Sequence, residues 1–210
     1  MYTYPDYAPH DEQQLAEFVA SNPFAAMVSI RNGVPVASHL PVIPAPDTTP
    51  AVGGVLWSHM GRVNRQWRTL ESGDPVLLVF TASHAYVSAG LYDEDPAVPT
   101  WNYSAVHVTA VPELLPRGVP TMEVLTETVH AMERPRRDPW DMTSSLPRFE
   151  QLVGDVVAFK LHITEWQAMF KLSQDKDDTV WQKVHDSFAA HPPTACLAHD
   201  MSRVRDASKK

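Results

Sequence analysis

A chain of 210 residues has room for one domain, or one domain with a substantial appendage, and for a single large core. Its 44% apolar content excludes wholesale disorder, and its formal charge of -8 argues against nucleic acid as a direct partner, because neutralising phosphates requires a basic face. The single cysteine, Cys196, permits no internal disulfide and fits a reducing compartment. The N-terminal stretch MYTYPDYAPH has neither a basic n-region nor an apolar h-region, and apolar runs such as Val76 to Phe80 are too short to span a bilayer. A cytoplasmic protein without membrane contact is the expectation.

Taken in chain order, the first element is a helix after Pro9, capped by Asp11, with Leu15, Phe18 and Val19 at helical spacing. Asn22-Pro23 stops it. Ala25 to Ile30 and Val34 to Leu40 read as two strands joined by Arg31-Asn32-Gly33, where Asn-Gly supplies the positive φ angles of a tight hairpin. A strand over Val52 to Ser58 and a short helix over Asn64 to Leu70 follow the proline-rich loop from Pro44 to Pro50. Val76 to Thr81, Ala85 to Ser88 and Ser104 to Val111 read as further strands. So many short strands with few helices between them point to a mainly β (α+β) antiparallel barrel or sandwich.

Helices are expected again at Thr121 to Glu133, with Met122, Leu125, Val129 and Met132 as the apolar stripe, and at Pro147 to Val153. Val156 to Ile163 alternates as a last strand, Gln167 to Leu172 crosses away from it, and Thr179 to Ala190 forms a helix. The domain therefore spans residues 1–190. From His191 the periodicity is lost, so residues 191–210 read as a flexible tail.

No Gly-rich phosphate loop, dinucleotide fingerprint, HExxH, CxxC or GxSxG occurs. Instead, histidines, aromatics and amides concentrate in four places. These are Ser38-His39-Leu40-Pro41, the run from Trp57 to Trp67, the pair Ser83-His84-Ala85-Tyr86-Val87-Ser88 and Val98 to Tyr103, and Lys171-Leu172-Ser173-Gln174. Rigid aromatics mixed with hydrogen-bonding groups suit a wall that cradles a flat ligand with a charged edge.

The ordered set SHLP, HMxxxNxQW, HAYVS, VPTWNYSAVH and KLSQ resembles the PaiB family of FMN-binding split-barrel proteins, over about Tyr4 to Phe188. The resemblance implies a split β-barrel of the FMN-binding type with peripheral helices, forming a homodimer with the cofactor at the interface. Classical members are FMN-binding negative transcriptional regulators. A divergent branch comprises piperazate synthases, which bind haem b and close an N5-hydroxylated ornithine into piperazic acid by forming an N–N bond. This chain departs from the regulator pattern at several points. It has Ser58-His59 for Gly-His, Asn64-Arg65-Gln66-Trp67 for Asn-Pro-Gln-Trp, and Ala82-Ser83-His84 for Gly-Pro-His. It also has Gly90-Leu91-Tyr92 for Ser-Trp-Tyr, and Asp175-Lys176 for the Asn-Arg after KLSQ.

Given that resemblance, a haem-dependent cyclase is the leading expectation, with a small amino-acid substrate. An FMN-binding regulator and an FMN-dependent oxidoreductase are the alternatives. His59 is the expected iron ligand, since a neutral imidazole on a strand end is a common haem ligand. Arg62 and Arg65 are expected at haem propionates or an FMN phosphate, with Ser173 and Gln174 as a second anion clamp beside Lys171. Trp67, Trp101 and His39 are expected to line the cofactor. The reaction also needs a proton acceptor, for which His84, Tyr92 and Lys171 are the candidates.

Overall fold

The computed structural model describes residues 1–2 and 4–207. The first helix, α1 (Glu12–Ser21), is capped as its sequence requires: the Asp11 carboxylate accepts from Gln14 N at 2.8 Å. β1 (Phe24–Arg31) turns through Asn32 and Gly33, at φ 53° and 77°, into β2 (Val34–Pro44). Two consecutive positive φ values give the turn whose twist matches antiparallel strands. The register runs from Phe24 opposite Pro41 to Arg31 opposite Val34.

β3 (Val55–Gly61) pairs with β2 and with β6 (Val156–Lys171), while β4 (Val76–Val87) pairs with β1. With β5 (Thr100–Leu114) the sheet closes in the order β1-β2-β3-β6-β5-β4. Between these strands lie α2 (Val119–Glu133) and α3 (Leu146–Leu152), and after them α4 (Asp178–Ala189) and α5 (Ala195–Ala207).

The chain divides into two compact units, and the division falls within α1, β4, β5 and β6. One unit holds residues 16–80 and 107–166. In it Leu56, Ser58 and Met60 of β3 stand opposite Leu161, Phe159 and Val157 of β6, and all six are buried. Strand alternation sends Trp57 and His59 to the other face. There Trp57 packs with Ile43, Ala45, Ala158 and Val124 of α2.

The second unit holds residues 1–15, 81–106 and 167–210. Its core joins Ala85 and Val87 to Val180, Trp181, Val184 and Phe188 of α4 and to Leu197, Ala198 and Met201 of α5.

Four expectations are corrected. Val76 to Thr81 and Ala85 to Ser88 are one strand, because the intervening Ala82-Ser83-His84 remains extended. The last strand runs on from Ile163 to Lys171, so Gln167 to Leu172 is not a crossing segment. The buried face of α2 carries Thr121, Val124 and Thr128, one helical position away from the expected stripe. The threonine hydroxyls make this possible by donating to Pro116 O at 2.9 Å and to Val124 O at 2.7 Å.

Residues 191–210 are not a loose tail over their described part, since α5 buries Leu197 and Met201 almost completely. Residues 208–210 of that expected tail lie outside the described residues. Polar residues filling the outer face of α5, among them an Arg205–Asp178 ion pair, hid its short apolar stripe. Leu197→Ala is therefore expected to destabilise the protein by about 2–5 kcal/mol in denaturant unfolding, as for a core leucine. A frayed tail would give no change.

No helix of the described residues is long and apolar enough to cross a membrane.

Candidate functional site

In the unit of residues 16–80 and 107–166, three buried polar atoms have no hydrogen-bond partner among the described residues, His59 Nδ1, Gln66 Oε1 and Trp166 Nε1, and of the three side chains only the imidazole readily ligates a transition metal. β3 places it opposite Ala158 of β6. Its Nδ1 is enclosed and has no hydrogen-bond partner among the described residues. Burial holds the imidazole below its usual pKa, so the ring is neutral at pH 7. A neutral imidazole is able to ligate a metal through its open nitrogen, while the enclosed Nδ1 is closed to solvent. No group of three or more His, Cys, Asp or Glu side chains that could hold a bare ion occurs among the described residues. One imidazole would suffice to hold a haem, because the porphyrin nitrogens themselves supply four ligands to the iron.

The segment behind His59 is mostly scaffold. Asn64 caps the 3-10 helix Arg65–Leu70 by accepting from Gln66 N at 3.1 Å and donates to Ser38 Oγ at 2.8 Å. Gln66 is buried, its amide directed at Met27 O, Ser29 Oγ and Val36 O at 3.0, 3.0 and 3.1 Å. Trp67 donates to Arg62 O at 3.1 Å and lies between the guanidinium groups of Arg62 and Arg68, at 5.5 and 5.6 Å from its ring. Arg62 is itself committed, donating to Gly154 O and Val156 O, each at 3.0 Å. Arg65 is exposed and makes no ion pair among the described residues, so it is the freer guanidinium for an acidic ligand edge. His39 is exposed on β2, stacked against Phe24 at 5.8 Å.

In the other unit, neighbouring ends of β4 and β5 form an open groove of about 330 Å³ lined by Thr81, Ala82, His84, Trp101, Tyr103 and Ser104. His84 and Trp101 face each other at 5.8 Å, and Tyr86 meets Trp101 edge-on at 6.2 Å. Trp101 is 52% exposed, a large aromatic ring left open to solvent. His84 makes no hydrogen bond among the described residues; its ring meets only Trp101.

The remaining candidates are more committed. Lys171 donates to Thr100 Oγ1 at 2.6 Å and lies 5.7 Å over the Tyr7 ring. The Tyr7 phenol is pushed up to about 12 by burial and by Asp175, so it stays protonated. Ser173 is buried and bonded to Asn102, and Gln174 braces the same turn by accepting from Leu172 N at 2.7 Å and donating to Phe170 O. These two are turn residues, not the open anion clamp expected. Tyr92 is not in a free loop: its ring joins the core around α4, under the Lys176 ammonium at 4.8 Å. Burial, with Asp175, Glu94 and Tyr86, raises its pKa, so it keeps its proton.

Asn102 belongs to the Val98 to Tyr103 cluster without a role assigned to it there, and the fold buries it completely. Its signal was available: Trp101 and Tyr103 alternate outward, so the residue between them must face inward.

The six-stranded antiparallel sheet, with an aromatic groove in one unit and an unpartnered imidazole nitrogen in the other, defines a small, mainly β protein. Residues 1–165 match the family described as "Putative FMN-binding domain", and the chain belongs to that family. It is 34% identical over 175 residues to the protease synthase and sporulation protein PAI 2 of Bacillus subtilis, across 82% of this chain and 81% of that one. Among solved structures it is similar in fold to the flavocytochrome Anf3 of Azotobacter vinelandii. There the TM-score is 0.60 at 16% identity, over 87% of this chain and 78% of that one. The FAD and heme binding protein of Mycobacterium smegmatis gives a TM-score of 0.55 at 17% identity, over 78% and 72%.

The buried imidazole has a pH consequence. The unfolded chain binds a proton at His59 near pH ~6.5, whereas the folded chain resists it down to a lower pH. Stability is therefore full above that value and falls as the pH drops through the interval between the two. Burial makes His107 contribute in the same sense. Unfolding free energies measured from pH 7 to pH 5 are expected to fall less steeply in His59→Leu than in the wild type. Equal slopes would refute the assignment.

Proposed function

We propose that this protein binds haem b through His59 and closes an N5-hydroxylated ornithine to piperazic acid by forming an N–N bond. The observation that carries this reading is the His59 imidazole, kept neutral by burial and holding an unpartnered nitrogen. The Ser58-His59 and Asn64-Arg65-Gln66-Trp67 departures from the regulator pattern support it, and so does the flavin- and haem-binding character of the fold relatives named above. The bound haem would supply Lewis acidity toward the hydroxylamine N–O bond.

The chain's own residues must do the rest. The amine nitrogen forms its bond to the hydroxylated nitrogen, water departs, and a protein base removes one amine proton. Among the three candidates Tyr92 retains its own proton, and the Lys171 ammonium is bonded to Thr100. Of the three, His84 is the candidate left uncommitted, with no hydrogen bond among the described residues. Arg65 pairs with a carboxylate of the ligand.

A second reading, an FMN-binding regulator or oxidoreductase, is favoured by the family itself and by the aromatic groove, whose Trp101 and Tyr103 suit a flat ring. In this second reading that groove is the seat of the flat ring. The absorption spectrum of protein expressed with a haem precursor separates the two readings. A Soret band lost in His59→Ala supports haem ligation; a flavin spectrum unchanged in His59→Ala refutes it. In the haem protein, His84→Gln is expected to slow turnover of N5-hydroxyornithine by about 10²–10⁴-fold without moving the Soret band.

We further propose self-association through the outer face of β1 and β2. Phe24, Ala26, Val28 and Ile30 stand there opposite Pro41, His39, Ala37 and Pro35, with no charged residue among the eight. Phe24 is 66% and Ile30 60% exposed, so a second copy of this apolar, self-complementary face is the natural cover. Ile30→Lys is expected to convert a dimer to a monomer in sedimentation. A monomeric wild type, or an unaffected dimer, would refute this face.

A further inference from the structure

Asn102 is a polar side chain placed where an apolar one would cost less. It is fully buried on β5, and on the inward side its neighbours belong to the core built by α4 and α5. Every polar function it has is used. Its amide donates to Ser173 Oγ at 2.9 Å and to Met201 Sδ of α5 at 3.8 Å, and its carbonyl accepts from Ser173 Oγ at 3.1 Å.

Ser173 is held at φ 62°, a left-handed conformation unfavourable for a residue other than glycine. A buried polar pair of this kind gives little net stability over an apolar pair of similar shape. What it does give is one defined arrangement of three elements: β5, the turn after β6, and α5. The two residues flanking Asn102 in the chain are Trp101 and Tyr103, the aromatic lining of the groove.

We propose that Asn102 and Ser173 form a latch that positions Trp101 and Tyr103, so that the pair sets the ligand affinity of the groove and not the stability of the fold. Neither residue touches the ligand; both act through the strand that carries the two rings. Met201 extends the latch to α5, which lies beyond the residues matched by the family. The C-terminal helix thereby acquires a role at the groove through a single buried contact. This inference rests on the reading of the groove as the seat of a flat ring.

The test is titration with hemin and with FMN, followed by absorbance, with thermal unfolding of each variant. Trp101→Ala checks the premise. If it leaves both affinities unchanged, the groove is not the seat and the latch proposal falls with it. Where Trp101→Ala weakens binding, Asn102→Leu combined with Ser173→Ala removes both hydrogen-bonding partners together. The expected result is a Tm within a few degrees of the wild type, with the Kd of the bound probe raised on the order of tenfold.

Ser173→Gly is the second variant. It removes the hydroxyl while relieving the positive φ, so it keeps the fold and is expected to weaken binding in the same way. A folded variant of either kind that binds like the wild type overturns the proposal. So does a loss of affinity that only follows a loss of Tm.

Discussion

The register of β3 against β6 is the constraint on which the rest of the first unit depends. With His59 opposite Ala158, the residues Leu56, Ser58 and Met60 meet Leu161, Phe159 and Val157 on the buried face. The same register sends Trp57 and His59 to the other face, where Trp57 packs against Val124 of α2. A slip by one residue would exchange the two sets, placing an imidazole among the core residues and Met60 outside. Small size at position 158 matters as well, because a larger side chain opposite His59 would compete for its space. The chemistry of the imidazole follows from this placement: it is enclosed enough to stay neutral, yet nothing in the protein satisfies its Nδ1.

Much of what looks chemically active in this sequence is structural glue. Asn64, Gln66 and Arg62 spend their hydrogen bonds on backbone carbonyls, a cap and a serine hydroxyl. Ser173 and Gln174 brace the turn after β6. Amides and guanidinium groups suit this work because they reach several acceptors at once and tie irregular segments to strands. The residues left with spare chemistry are few: His59 and the exposed Arg65 in one unit, where Gln66 Oε1 and Trp166 Nε1 are also buried without a partner, and His84 beside Trp101 in the other. A motif thus marks where polar residues gather, while the hydrogen-bond account decides which of them can act on a ligand.

Local signals carried a good deal of the fold. The Asp11 cap, the Asn32-Gly33 turn, the alternation of β1 and β2 and the spacing of α4 are all contained within a few residues, so their structures are readable without knowing the partner elements. Readings that depended on partners failed. The stripe of α2 was misplaced because Thr121 and Thr128 bury hydroxyls satisfied by nearby carbonyls. α5 was missed because its three buried residues are meaningful only against α4.

The candidate site divides in the same way. His59, His84 and Trp101 were identifiable from the sequence as histidine and aromatic residues in extended segments, because residue type and strand period are local properties. Only the tertiary structure decided that His59 Nδ1 is enclosed and unpaired, that Tyr92 is core, and that Asn102 sits locked to Ser173 behind the groove. The reason is physical: burial, pKa and hydrogen-bond satisfaction are set by groups far away in the chain. Asn102 and Ser173 are 71 residues apart, and no local pattern encodes the pairing that brings them together.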